Sequence, residues 1–119
     1  IIHALDGYDE IALTGPTKAI TNTSETMLQP QDFGVTALEP VAIYGGDSVA
    51  ASAKIFMDVI FGRGSQAQNH VVCANAGMAI ATVKGGTPKE GFEQAKESLM
   101  SGKALKKLQQ LQSFSQTHC

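Results

Sequence analysis

Apolar positions along the 119-residue chain follow two rhythms, and the change between them falls near Asp47. Before it, short runs of apolar and β-branched residues alternate with glycine- and proline-marked breaks, the pattern of strands and turns. Ile1–Leu5 is almost wholly apolar, and such a run belongs inside a sheet, where its side chains find cover on both faces. Asp6-Gly7 ends it. Glu10–Thr14 and Thr17–Asn22 are the next strand candidates, separated by Gly15-Pro16, and Thr23-Ser24 turns the chain into a short strand at Glu25–Leu28. Gln29–Gly34 reads as a helical turn stopped by glycine. Val35–Gly46, with two apolar patches around Pro40, reads as an ordered loop.

From Asp47 onward the spacing is helical. Val49, Ala53, Phe56, Met57 and Ile60 fall on one face, with Asp47 or Ser48 as cap and Gly62 as the left-handed residue that ends the helix. Ser65 and Gln68 form a capping box for a helix from Gln66 to about Val83. Its stretch Val71–Ala81 is apolar nearly all round, so a central helix is expected, with alanine and glycine admitting close neighbours. Thr87-Pro88-Lys89-Glu90 starts a third helix with Phe92, Ala95, Leu99 and Met100 on its inner face. Gly102 interrupts it. A last helix carries Leu105, Leu108 and Leu111, and the polar tail from Ser113 is expected to fray. Strands feeding a helical cluster predict an α/β layer architecture.

Composition narrows the function classes. Apolar residues at 43% and charged residues at 17% describe a globular chain of one domain. A net charge of −2 supplies no basic face for nucleic acid. No run approaches the ~20 apolar residues of a membrane span, so a cytoplasmic protein is the expectation. Two cysteines, Cys73 in an apolar run and Cys119, form no disulfide framework. The chain opens directly on the apolar run at Ile1 without a solvating lead-in, which suggests a cut through a larger protein.

Candidate chemistry concentrates in Asp6-Gly7-Tyr8-Asp9-Glu10, three carboxylates around a glycine just beyond a strand. Ligands in α/β sheets sit beyond the carboxyl ends of strands. Neighbouring side chains of a regular strand point to opposite faces, so Asp9 and Glu10 converge only if the backbone is still turning there. Two adjacent acids suit magnesium, which takes one or two carboxylates together with substrate phosphates and water; on spacing alone a solvated acidic turn stands beside that reading. Other candidates read as structure. His3, His70 and His118 lack metal-ligand spacing. Cys73 reads as a small buried hydrophobe and Asn75 as a satisfied core hydrogen-bonder. Tyr44–Asp47 and Gly62–Ser65 look like phosphate loops but read as capping turns, and Lys103, Lys106 and Lys107 as a solvated face.

The segment His3–Glu10 resembles the H-G-x-D-G-x-D-E element of anthranilate phosphoribosyltransferases. Leu13–Thr17, Pro30–Gly34, Gly45–Asp47, Asn75–Gly77 and Ser101–Leu105 match that family in the same order. Ala4 departs from it, standing where the family usually has glycine. The resemblance implies the C-terminal part of a phosphoribosyltransferase or nucleoside-phosphorylase-like α/β domain, with strands and a hairpin followed by a helical cluster. It implies an enzyme of tryptophan biosynthesis that moves phosphoribosyl from phosphoribosyl pyrophosphate to anthranilate and releases pyrophosphate. Asp9 and Glu10 inherit the family's magnesium-holding role, and no residue is assigned as a catalytic acid or base. The family's G-T-G-G-D loop, its K-H-G-N-R segment and its N-terminal helical domain, through which it dimerises, have no counterpart in the 119 residues. The chain alone is therefore expected to be inactive. Two rivals remain: a catalytically silent binding module on the same fold, and a nucleoside phosphorylase-like enzyme.

Overall fold

The computed structural model describes residues 1–118. Three short antiparallel strands, β1 (Ile2–Ala4), β2 (Thr17–Ile20) and β3 (Glu25–Leu28), form a sheet in chain order with β2 central. Ile2 pairs with Ala19 and Ala4 with Thr17, while Thr17 pairs with Leu28 across the hairpin. That hairpin closes where the Thr21 amide donates to the Ser24 carbonyl at 2.8 Å. Alternation along β2 puts Thr17 and Ala19 on the buried face.

Two strand expectations need correction. The apolar run at Ile1–Leu5 is not a covered central strand: β1 is an edge, with Ile1 87% and Leu5 53% exposed. Glu10–Thr14 is not a strand. Its Ile11, Ala12 and Leu13 are buried, but Leu13 takes a left-handed φ of 61°, which breaks any ladder. Burial without pairing is what the residue pattern could not distinguish from a strand.

After β3 come two 3-10 turns, Pro30–Phe33, closed by Gly34 at φ 79°, and Pro40–Ile43. Four helices follow: α1 (Val49–Ile60), α2 (Gln66–Lys84), α3 (Pro88–Met100) and α4 (Lys103–His118). Their ends are written in local sequence. The Ser48 side chain caps α1, and reciprocal capping boxes start α2 (Ser65, Gln68) and α3 (Thr87, Glu90). Gly62 at φ 75° ends α1: its amide reaches the Val59 carbonyl at 2.9 Å and the Arg63 amide the Asp58 carbonyl at 2.7 Å.

The core joins the sheet, the Pro30–Phe33 turn and the α2–α3 pair through Leu28, Phe33, Cys73, Ala74, Phe92 and Leu99. Gly77 and Gly91 let α2 and α3 approach to backbone contact, since a Cβ on Gly77 would meet the Phe92 nitrogen at 2.5 Å. Three expected faces differ from those observed. On α1, Val59 is buried whereas Val49, Ala53 and Phe56 are exposed; on α2, Val72, Ala76 and Ala79 face out; on α3, Met100 is 60% exposed. The polar tail from Ser113 is part of α4, which continues to His118.

Candidate functional site

The acidic stretch leaves β1 through a closed turn. The Gly7 amide donates to the Ala4 carbonyl and the Ala4 amide to the Tyr8 carbonyl, both at 3.2 Å, and Gly7 supplies the positive φ of 101° that the turn requires. Asp6 is committed to this turn, its carboxylate accepting the Thr14 hydroxyl. The backbone is still bending at Asp9 and Glu10, the condition under which adjacent side chains can serve one site.

Asp9 and Glu10 are both exposed, and both line a cleft of about 330 Å³ with Tyr8, Ala12, Ile43 and Asn75. No hydrogen bond or ion pair among the described residues occupies either carboxylate, and no lysine or arginine lines the cleft. Two adjacent anionic groups without a partner create a local potential that favours a cation. Among the described residues no group of three His, Cys, Asp or Glu side chains could hold a metal. The donor set is thus two carboxylates, hard oxygen ligands that fit magnesium with remaining ligands from phosphate and water and do not fit a closed zinc-type site.

Immediately after Glu10 the chain enters the interior. Asn75, on α2, grips the Ile11 peptide from both sides: its Oδ1 accepts from the Ile11 amide at 3.0 Å, and its Nδ2 donates to the Ile11 carbonyl at 2.8 Å. The same Nδ2 donates to the Val71 carbonyl at 2.9 Å. The reading of Asn75 as a satisfied hydrogen-bonder holds, but its partner lies 64 residues away and beside the acidic pair, which sequence spacing gives no means of finding.

The other candidates stay structural. His70 stands edge-on to Phe92 at 5.7 Å between ring centroids, and burial, then the Lys96 charge, lowers its pKa from 6.5. Cys73 is 2% exposed, and burial pushes its thiol up, the opposite of what a reactive cysteine needs. His3 is exposed, and Cys119 lies outside the described residues, as does the side chain of His118. In the Tyr44–Asp47 turn the Tyr44 hydroxyl donates to Asp47, which raises its pKa, and the Ser52 hydroxyl donates to the Gly45 carbonyl at 2.7 Å. Lys103 pairs with Glu97 at 2.8 Å. A larger groove of about 430 Å³, lined by Tyr44, Ile55, Phe56, Val71 and Val72 among others, holds no charged side chain.

Comparison with known proteins covers nearly the whole chain. The family described as "Glycosyl transferase family, a/b domain" matches residues 1–105. An anthranilate phosphoribosyltransferase of Flavobacterium johnsoniae is 60% identical over 115 residues, 97% of this chain and 35% of that protein. One of Christiangramia forsetii is 59% identical over 116 residues, 98% of this chain and 35% of that protein. A more distant one, of Phocaeicola vulgatus, is 38% identical over 109 residues, 91% of this chain and 33% of that protein. The chain spans about a third of the length of the curated relatives it matches. No helix among the described residues is long and apolar enough to cross a membrane.

Proposed function

The chain belongs to the glycosyl transferase family, a/b domain, and on that premise we propose that it is the magnesium-holding part of an anthranilate phosphoribosyltransferase. The observation that carries this reading is the pair Asp9 and Glu10, adjacent, unpartnered and lining one cleft, in a chain 60% identical to a protein of that name. In the reaction, the anthranilate nitrogen forms a bond to the anomeric carbon of phosphoribosyl pyrophosphate. The carbon–oxygen bond to pyrophosphate breaks, and the amine proton passes to solvent.

The Asp9 and Glu10 carboxylates would hold the magnesium ion. When bound, magnesium supplies the positive charge that meets the charge gathering on the departing diphosphate. Neither acid acts as a base. Their task is to fix the direction from which that charge is met, and the Asp6–Thr14 contact and the Ala4–Tyr8 turn tie down the loop that leads to them. The chain spans only about a third of such relatives; in this reading groups outside it would hold the substrates, and proximity contributes much of such catalysis. The chain alone is accordingly inactive and binds magnesium weakly without diphosphate. The reading makes the parent a cytoplasmic homodimer of amino-acid biosynthesis.

The test is pyrophosphate release from phosphoribosyl pyrophosphate and anthranilate by the full-length protein that carries this chain. Asp9→Asn and Glu10→Gln should each lower the magnesium-dependent rate by about a hundredfold, the scale of losing one electrostatic stabiliser of a transition state. A protein that releases no pyrophosphate with anthranilate, or one indifferent to both substitutions, refutes the proposal. Submicromolar magnesium affinity in calorimetry on the 119 residues alone would contradict the dependence on diphosphate.

A further inference from the structure

We infer that Asn75 is a positioning residue for the Asp9–Glu10 pair, an inference that rests on the metal-holding role proposed above. Ile11, Ala12 and Leu13 form a buried segment that belongs to no sheet, so ladder hydrogen bonds do not satisfy its backbone. Asn75 takes the place of a neighbouring strand. Its amide accepts from the Ile11 N–H and donates to the Ile11 C=O, satisfying both main-chain groups of the residue that follows Glu10. An amide has one acceptor and one two-hydrogen donor, and this geometry uses both, with the second donor hydrogen directed to Val71 on the same helix.

That last bond fixes the clamp to α2, a 19-residue helix packed against α3 through the Gly77–Gly91 contact. The acidic pair is thereby held between two anchors. Upstream is β1 with its closed turn; downstream, one residue after Glu10, is a side chain on a rigid helix. Leu13, strained at φ 61°, is held two residues further on by the Leu38 amide on its carbonyl at 2.8 Å. Asn75 also lines the cleft itself. A leucine there would fill similar space and leave the Ile11 N–H and C=O without their partner; an alanine would release the peptide altogether.

The experiment uses the full-length protein with Mn2+ as the probe, bound Mn2+ being read by electron paramagnetic resonance with phosphoribosyl pyrophosphate present. Asn75→Ala and Asn75→Leu should weaken Mn2+ binding about tenfold, the range for losing a group that orients a metal ligand. Peptides spanning residues 9–13 should exchange their amide hydrogens faster. Thr87→Ala, which uncaps α3 away from the cleft, serves as the stability control: it should lower the melting temperature and leave Mn2+ affinity unchanged. Asn75 variants that melt earlier but bind Mn2+ as the wild type does would make the residue merely structural and overturn the inference. If both variants fail to fold, the wild type decides. An Ile11 amide exchanging as fast as those of an open loop overturns the clamp, and strong protection supports it. Wild-type Mn2+ binding that survives Asp9→Asn refutes the metal reading and this inference together; loss with Asp9→Asn but not with Asn75→Leu refutes this inference alone.

Discussion

Gly77 and Gly91 are two residues whose missing side chains set the distance between the helices that carry the site's anchor. A Cβ on Gly77 would sit 2.5 Å from the Phe92 nitrogen, and one on Gly91 would sit 2.1 Å from the Gly77 oxygen. Backbone cannot retreat as a flexible side chain can, so Gly77→Ala is expected to cost at least the 1–3 kcal/mol typical of overpacking. Urea denaturation of the chain would show it as a lower midpoint; a midpoint within error of the wild type would mean that the helices sit further apart. His70 gives a second expectation, with a definite sign. Its folded-state pKa is lowered by burial, so below about pH 6.5 the unfolded chain binds the proton more readily than the folded one. The stability it contributes is complete above pH 6.5 and is lost as the pH falls through its depressed folded value. Melting temperature should therefore fall between pH 7.5 and 5.5, and His70→Gln should flatten that slope. A slope that persists in His70→Gln belongs to other groups.

At the scale of elements, helix ends were legible and sheet membership was not, for one physical reason. A cap is a contact between residues three apart, so Ser65 with Gln68 and Thr87 with Glu90 announce themselves in sequence and recur with the expected hydrogen bonds. Pairing in a sheet depends on what arrives from elsewhere. Ile1–Leu5 has the composition of a covered strand, yet stands at an edge because β2 pairs it on one side only. Ile11–Leu13 has the burial of a strand and finds a side chain, Asn75, in place of a partner. The acidic pair was legible as chemistry because its residues are neighbours; the clamp beside it was not, since it spans 64 positions. The capping box is measurable at this scale. Thr87→Ala removes the acceptor for the Glu90 amide, now at 3.2 Å, and should lower stability by about 1 kcal/mol. Thr87→Ser should restore most of it, and a loss unchanged by serine would point to the methyl group instead of the hydroxyl.

Taken as a whole, the molecule exposes more surface than a self-sufficient fold of its mass. Its accessible area is 7641 Å², against about 6200 Å² expected for a folded monomer of this size. Its radius of gyration is 15.0 Å, against about 13.5 Å. The excess area, on the order of 1400 Å², exceeds the roughly 800 Å² that each partner buries in a standard protein interface. Part of it is the projecting α4, whose Leu111 and Phe114 are 62% and 60% exposed. Part is the groove between α1 and α2, where Phe56 and Val72 are 53% and 42% exposed and no charged side chain breaks the apolar lining. Contiguous apolar surface of this kind is covered in stable proteins. The 119-residue chain on its own is therefore expected to associate as its concentration rises, and Phe56→Ser with Val72→Ser should shift it toward monomer in sedimentation velocity. The full-length protein, if its additional residues cover the groove, should be insensitive to concentration through this surface and should lose stability from the same double substitution. A chain that sediments as a monomer throughout, and a full-length protein whose stability the substitutions leave unchanged, would show that solvent is the groove's normal neighbour.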